Sequence, residues 1–222
     1  MHPQGEDLRG YLKRHTDQQT GSKSELISEA VLSKIVEFYE IILKENEVQN
    51  LTRLISPSDF YYGHVIDVLE LIQTGWLKYP AVDLGSGVGI PGLLANLIQP
   101  GQWILIDSEK KKAEYLSRTV EGLGLGGQIQ VFSGRGEDYL KKNPVHSVVL
   151  RAVGPIERIS GWMQGCSTWN QLILFKGPSW VEEWAVFQKT RLGKGLVLQS
   201  EHLYTVGPEE KRRVLVRLTP SK

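Results

Sequence analysis

Residues 81–92 run Ala-Val-Asp-Leu-Gly-Ser-Gly-Val-Gly-Ile-Pro-Gly, a short apolar stretch that breaks after Asp83 and Leu84 into a glycine-dense turn. A buried strand that ends in Gly85, Gly87 and Gly89 can bend tightly and approach a ligand where a Cβ would clash. A second apolar run, Trp103–Ile106, ends in Asp107, 22 residues after Gly85. A carboxylate about that far beyond a glycine turn is placed to accept hydrogen bonds from ribose hydroxyls. Together they predict a strand–turn–helix unit that holds a nucleoside.

The spacing narrows the ligand. The glycines form G-x-G-x-G, whereas dinucleotide folds favour G-x-G-x-x-G with the third glycine in the following helix. Here that position is Ile90, followed by Pro91. Pro91 loses no donor by opening a helix, but a pyrophosphate cradle needs free backbone N–H groups there. A cofactor without phosphates fits better, and S-adenosylmethionine is the obvious one. NAD and a turn that serves only strand-to-helix packing are the alternatives.

From residue 79 onward, apolar runs at 81–84, 103–106, 129–132, 147–150 and 171–175 alternate with helical stretches, including 109–122 and 179–191. Ser179 and Glu182 form a capping box at the start of the latter. Two strand-like runs, 196–206 and 213–218, flank Gly-Pro-Glu-Glu-Lys-Arg and predict an antiparallel hairpin. The pattern predicts an α/β fold: a doubly wound, mostly parallel, Rossmann-like sheet. Ahead of it, residues 1–78 predict a helical extension, and 79–222 the α/β domain. Within the extension, Ser22 and Glu25 make a capping box, and Ile27, Val31, Ile35, Phe38 and Ile42 recur at helical spacing. Ser56, Pro57 and Asp59 start a second helix carrying Phe60, His64, Val65 and Val68. A short basic piece (Leu8, Arg9, Tyr11, Leu12, Lys13, Arg14) predicts a further turn or two of helix.

Composition bounds the function. No apolar run approaches the roughly 20 residues needed to span a bilayer, and the first residues lack a signal peptide's basic and apolar regions. The lone Cys166 excludes intramolecular disulfides and cysteine-based zinc sites. The expected setting is cytoplasmic, with no membrane and no metal, and the expected state is a monomer. The net charge of +1 lacks the basic excess of a protein that grips naked nucleic acid by charge alone. Any nucleic-acid partner must then be met by local patches or be a large structured substrate.

Methyl transfer from a sulfonium needs the acceptor placed in line behind the methyl with water kept out. Methylating C5 of a pyrimidine requires a cysteine, and Cys166 lies outside any strand end. The turn after the fourth strand, Leu150-Arg151-Ala152-Val153-Gly154-Pro155, lacks the Asn/Asp-Pro-Pro-aromatic motif that handles exocyclic amines. No histidine falls at a strand end to serve as base. A ring nitrogen such as guanine N7 carries a free lone pair and needs none.

The chain resembles the bacterial 16S ribosomal RNA guanine-N7 methyltransferases, also called glucose-inhibited division protein B. The resemblance is carried by Asn50-Leu51-Thr52, His64-Val65-Ile66-Asp67, the 82–92 turn with its Ile90-Pro91-Gly92, and Leu105-Ile106-Asp107-Ser108. Arg135-Gly136-Glu137-Asp138, Arg151-Ala152, Phe175-Lys176-Gly177 and the basic strand at 211–218 complete it. The chain departs from the family pattern at Glu45-Asn46-Glu47, Val68 and Leu150. The resemblance implies that Gly85 and Ile90 line the cofactor, Asp107 binds its ribose, and the Gly136–Glu137 backbone borders the adenine. Asp83, Gly87, Gly89 and Ser108 complete the candidate cofactor set, with Arg151. Arg151 and Arg135 are the candidate catalytic residues, at the junction of cofactor and RNA, holding phosphate or base. The implied partner is the small ribosomal subunit. A small-molecule methyltransferase and a non-catalytic ribosome- or RNA-binding module are the rivals.

Other residues carry lesser expectations. Lys110–Lys112 oppose the dipole of the helix they start, which suits either phosphate contact or a solvated face. Lys211, Arg212 and Arg213 read as a soluble turn, and His64 as an interdomain hydrogen-bonding residue that Asp67 could partner. Cys166 reads as structural. The six tryptophans read mainly as packing, with Trp180 the one placed where a base could stack.

Overall fold

The computed structural model describes residues 7–18 and 26–221. Every apolar run becomes a strand: β1 (Ala81–Leu84), β2 (Trp103–Asp107), β3 (Ile129–Ser133), β4 (Val145–Arg151) and β5 (Trp169–Lys176). The two terminal runs become β6 (Leu196–Val206) and β7 (Lys211–Pro220). They form one seven-stranded sheet in the order β3-β2-β1-β4-β5-β7-β6. The first five strands are parallel, and β7 runs antiparallel to β5 and β6. The strand order reverses between β1 and β4, and ligands of such sheets sit outside that switch point.

Among the described residues, four helical segments precede the sheet: α1 (Leu8–Gln18), α2 (Glu29–Gln49), α3 (Pro57–Phe60) and α4 (Ile66–Gln73), the last two joined by a π turn, Tyr61–Val65. Between strands come α5 (Gly92–Ile98), α6 (Lys110–Gly122), α7 (Gly136–Leu140), α8 (Ile156–Met163) and α9 (Trp180–Phe187). Among the described residues, no helix is long and apolar enough to cross a membrane.

Successive strand residues face opposite sides, and the two cores follow that alternation. Ala81, Leu105, Val149, Ile173 and Leu215 pack with α1–α6 on one face. Val82, Ile104, Val148, Leu172 and Val216 pack with α7–α9 on the other. A parallel sheet must be covered on both faces, and the extension supplies much of one cover. Leu12, Ile35, Phe38 and Phe60 are fully buried there, each contributing about 1.5–3 kcal/mol by removal from water.

Local signals were met with three differences. The Ser22–Glu25 capping box lies outside the described residues, and α2 is instead capped by Ser28, whose hydroxyl accepts from the Val31 amide. Val31 is only half-buried, while Leu32 and Tyr39 join the stripe of Ile35, Phe38 and Ile42. At α9 the Ser179–Glu182 box does not form: Ser179 makes no side-chain cap. The neighbouring Glu183 carboxylate is drawn instead to the Ile156 amide and Lys176. At Ser56 the cap forms as expected, accepting from the Asp59 amide at 3.1 Å.

Gly92 starts α5 hard against β1 and β2. A Cβ there would lie 2.6 Å from Leu105 Cδ2 and 2.8 Å from Asp83 Cβ. Gly92→Ala is expected to destabilise the fold by about 1–3 kcal/mol through overpacking. Gly122→Ala, on the open side of α6's last turn, is expected to stabilise it by about 0.5–1 kcal/mol. Urea unfolding of the two variants beside the parent measures both.

Candidate active site

The 85–92 turn is held from beneath by Asp83, which is 1% exposed. Its Oδ2 accepts from Ser86 Oγ at 2.6 Å and from the Gly92 amide at 2.8 Å, pinning both ends of the turn. Gly85 and Gly87 take left-handed backbone (φ +78° and +56°), which glycine adopts without a Cβ penalty. The amides of Gly85 and Ser86 donate to Ile106 O, those of Gly89 and Ile90 to Ser86 O. The Gly87 amide donates to Asp107 Oδ2 at 3.0 Å. With Pro91 lacking an amide hydrogen, these donors are spent inside the protein, and the turn is a poor pyrophosphate cradle. Asp83 Oδ1 is buried without a hydrogen-bond partner. Burial pushes the Asp83 carboxyl up to about 6, against the opposing pull of the Ser86 and Gly92 donors.

Above the turn, a cleft of about 400 Å³, its open mouth included, lies at the carboxyl ends of β1, β2 and β3. Leu84, Ile106, Val153 and Trp162 supply apolar walls, and Asp107, Ser108 and Glu137 the polar rim. Asp107 Oδ1 accepts from the Glu109 amide at 2.9 Å. Each Asp107 oxygen thus spends one bond on backbone, and a carboxylate with about four acceptor positions keeps capacity on both. Two side chains set the cleft's width. A Cβ at Gly85 would touch Val153 at 3.5 Å, and one at Gly136 would strike Leu84 Cδ1 at 2.1 Å.

The structure brings Gly85, Asp107, Ser108, Arg135, Gly136 and Glu137 together around this cleft. Gly87 sits just behind, orienting Asp107. Gly89 and Ile90 are buried in the core instead. A Cβ at Gly89 would lie 3.2–3.4 Å from Leu93, Leu116 and Phe38, so this glycine lets α2 press against the turn. Leu84, Ile106, Val153 and Trp162 were not singled out by motif. Val153 was within reach of sequence reasoning, since it follows the β4 end by two residues in the 150–155 turn.

Arg151 does not line the cleft. It shares strand parity with Val149 and so faces the side covered by the extension, whereas Leu84 and Ile106 open the cleft on the other. Its Nη1 donates to His64 Nδ1 at 2.6 Å, its Nη2 to the Gly63 carbonyl, and its Nε lies 3.3 Å from Asp67 Oδ2. Because a guanidinium only donates, His64 Nδ1 is an acceptor and the ring is neutral. Burial, then the charges of Arg151 and Arg213, hold the His64 pKa well below its usual value. Asp67 does not bond His64 directly. Its Oδ2 also takes Arg213 Nη1, and its Oδ1 accepts from Tyr204 Oη at 2.8 Å. Burial pushes the Asp67 carboxyl up, opposed by the two guanidinium groups.

Three expectations are corrected or divided. Arg213 is no solvated turn residue but part of this cluster, while Lys211 pairs only with Glu209 at the exposed tip. Trp180 is 1% exposed and donates to Glu201 Oε1 at 2.7 Å, so no base can stack on it. Lys110 and Lys112 are drawn toward Glu114 and Glu109, leaving Lys111 exposed. Cys166 is buried, its thiol donating to the Trp162 and Glu137 carbonyls, and burial pushes its pKa up. That is a structural role.

Comparison with known proteins was decisive for kinship. The GidB family, described as rRNA small subunit methyltransferase G, matches residues 31–213. A ribosomal RNA small subunit methyltransferase G of Rhodopirellula baltica is 30% identical over 183 residues, covering 82% of this chain and 78% of that protein. The protein of the same name from Prochlorococcus marinus (strain NATL1A) is 28% identical over 204 residues, covering 86% and 82%. Among solved structures, MtNAS in complex with MTA and tNA shares the fold. The TM-score is 0.59 at 17% identity, covering 84% of this chain and 69% of that one.

The elevated Asp83 pKa makes a pH prediction. A carboxyl near 6 when folded and about 3.9 when unfolded binds its proton more tightly in the native state. Its contribution to stability is therefore fully present below about pH 4 and lost as pH rises through 6. Relative to Asp83→Asn, which cannot titrate, the parent should lose about 2 kcal/mol of unfolding free energy between pH 4 and 7. Urea midpoints of both proteins across that range measure it.

Proposed function

The chain belongs to the GidB family of rRNA small subunit methyltransferase G proteins, and from that premise we propose that it methylates N7 of a guanine in small-subunit ribosomal RNA, using S-adenosylmethionine. The single observation that carries the cofactor assignment is the turn whose Gly85, Ser86, Gly87, Gly89, Ile90 and Gly92 amides already donate within the protein, while both Asp107 oxygens keep acceptor capacity. That arrangement favours a ribose and disfavours phosphates.

When bound, S-adenosylmethionine supplies an electrophilic methyl on a sulfonium. The residues present fit it. Asp107 holds the ribose hydroxyls, Leu84, Ile106 and Val153 give the adenine apolar contact, and the Gly136–Glu137 backbone borders it. Gly85 keeps the turn low enough for close approach. Guanine N7 is already nucleophilic, so the chain has no proton to remove. Its contribution is alignment and exclusion of water, the positioning component of catalysis. Arg135, exposed at the lip of the cleft, is placed to meet an RNA phosphate or the base.

Two measurements test this. Undermethylated small subunits incubated with labelled cofactor should take up methyl groups, and chemical cleavage at 7-methylguanine should fall at one site. Labelling of free small acceptors with none on subunits would instead support a small-molecule enzyme. Asp107→Ala should raise the cofactor Kd about 10- to 100-fold, as expected for losing charge-assisted hydrogen bonds, and calorimetry reads it directly. Unchanged affinity contradicts the ribose assignment.

A further inference from the structure

We propose that Asp67 is a positioning residue for methyl transfer: through Arg151 it fixes the 152–155 loop, which forms one wall of the cleft. This rests on the proposed methyltransferase function. The loop leaves β4 by a strained route. Ala152 takes φ +56° and Gly154 φ +119°, and a non-glycine residue keeps left-handed backbone only where its surroundings over-determine it. The loop is tied at both ends. At its far end Lys176 Nζ donates to Gly154 O at 3.0 Å, and Glu183 accepts from both Lys176 and the Ile156 amide. At its near end the charged anchor is Arg151. Between the two ties sits Val153, against Gly85 in the cleft wall.

The near tie is built from three separate parts of the chain. The π turn presents Gly63 O and His64 Nδ1 to the Arg151 guanidinium. Asp67, one turn later, is 1% exposed and takes the third face of that guanidinium. From the hairpin come Arg213 and Tyr204, direct cross-strand partners that both bond Asp67. β5 pairs with β7 at Lys176↔Val214, so Arg213 projects just past the end of β5, on the catalytic edge of the sheet. Two arginines brought this close are tolerable only with the carboxylate between them. With Nε, Nη1 and Nη2 all engaged on the extension side, Arg151 acts on the cleft through the loop that follows it, not by reaching into it.

The test compares Asp67→Asn, which keeps shape and removes charge, with the milder Tyr204→Phe, each alone and Asp67→Asn also with Arg151→Gln. Amide hydrogen exchange of 152–156 should speed at least tenfold in Asp67→Asn and severalfold in Tyr204→Phe, with β1 and β2 unchanged. On undermethylated small subunits, kcat should fall at least tenfold in Asp67→Asn, with subunit KM and cofactor Kd within about threefold of the parent. The double variant should be no slower than Arg151→Gln alone, because both changes cut one tie. Unchanged loop exchange, or losses that multiply in the double variant, overturns the proposal. If Asp67→Asn does not fold, Tyr204→Phe decides by the same exchange readout. That readout needs no substrate, so a parent enzyme inactive on subunits would count against the proposed function and leave the loop test standing.

Discussion

Asp83 sits at the point where the sheet becomes a binding site. One carboxylate oxygen receives the Ser86 hydroxyl and the Gly92 amide, so a single side chain fixes the span of a turn that glycine would otherwise leave loose. Charge-assisted hydrogen bonds of this kind contribute about 1.5–3 kcal/mol each. Full burial outweighs them here, since the carboxyl is pushed up to about 6. The protein thus keeps a buried acid at some cost to its stability, and the cost falls directly beneath the glycine turn. From the pinned turn the rest follows in order. Gly87 aims Asp107, Gly89 admits Phe38 of α2, and α5 is launched across the face that the extension covers.

A second buried carboxylate, Asp67, joins separate parts of the chain, bonding Arg213 and Tyr204 of the hairpin and lying 3.3 Å from Arg151 Nε. Removing one member of a buried ion pair typically costs about 3–5 kcal/mol, because the partner is left charged and unpaired. Asp67 has two such partners, from β4 and β7, and so ties the extension to the sheet end and the hairpin at once. The 1–78 segment is then more than an appendage: its helices share the core of the sheet, and its π turn supplies the groups that receive Arg151. Insertions of this type in a helix often mark functional positions, and here the extra residue brings a carbonyl and an imidazole to one guanidinium.

Much of this was legible in the sequence. Buried parallel strands are continuous apolar runs, so β1 was found residue for residue and the others within two. The terminal hairpin was marked by its Gly-Pro turn, and Asp107 by its distance from Gly85. The direction of Arg151 was not legible. At a strand end, parity alone decides which face a side chain takes, and nothing in the motif says which face the cleft opens on. Gly89 misled for a related reason: a glycine that admits a neighbouring helix looks the same in sequence as one that admits a ligand. Trp180 and Arg213 gained partners, Glu201 and Asp67, 21 and 146 residues away, which no local pattern reports. The π turn has no sequence signature, and the Ser179–Glu182 box did not form, Ser179 making no side-chain cap.

The most direct measurement of the central claim, that a pre-formed glycine turn and Asp107 hold a nucleoside without phosphates, is a crystal structure with S-adenosylhomocysteine bound. The account predicts ribose hydroxyls within hydrogen-bond distance of Asp107 and adenine between Ile106 and Val153. The backbone of residues 83–92 should shift by less than about 1 Å, as in pre-organised sites. A ligand seated elsewhere, or a turn that breaks its Asp83 bonds to admit one, would contradict it.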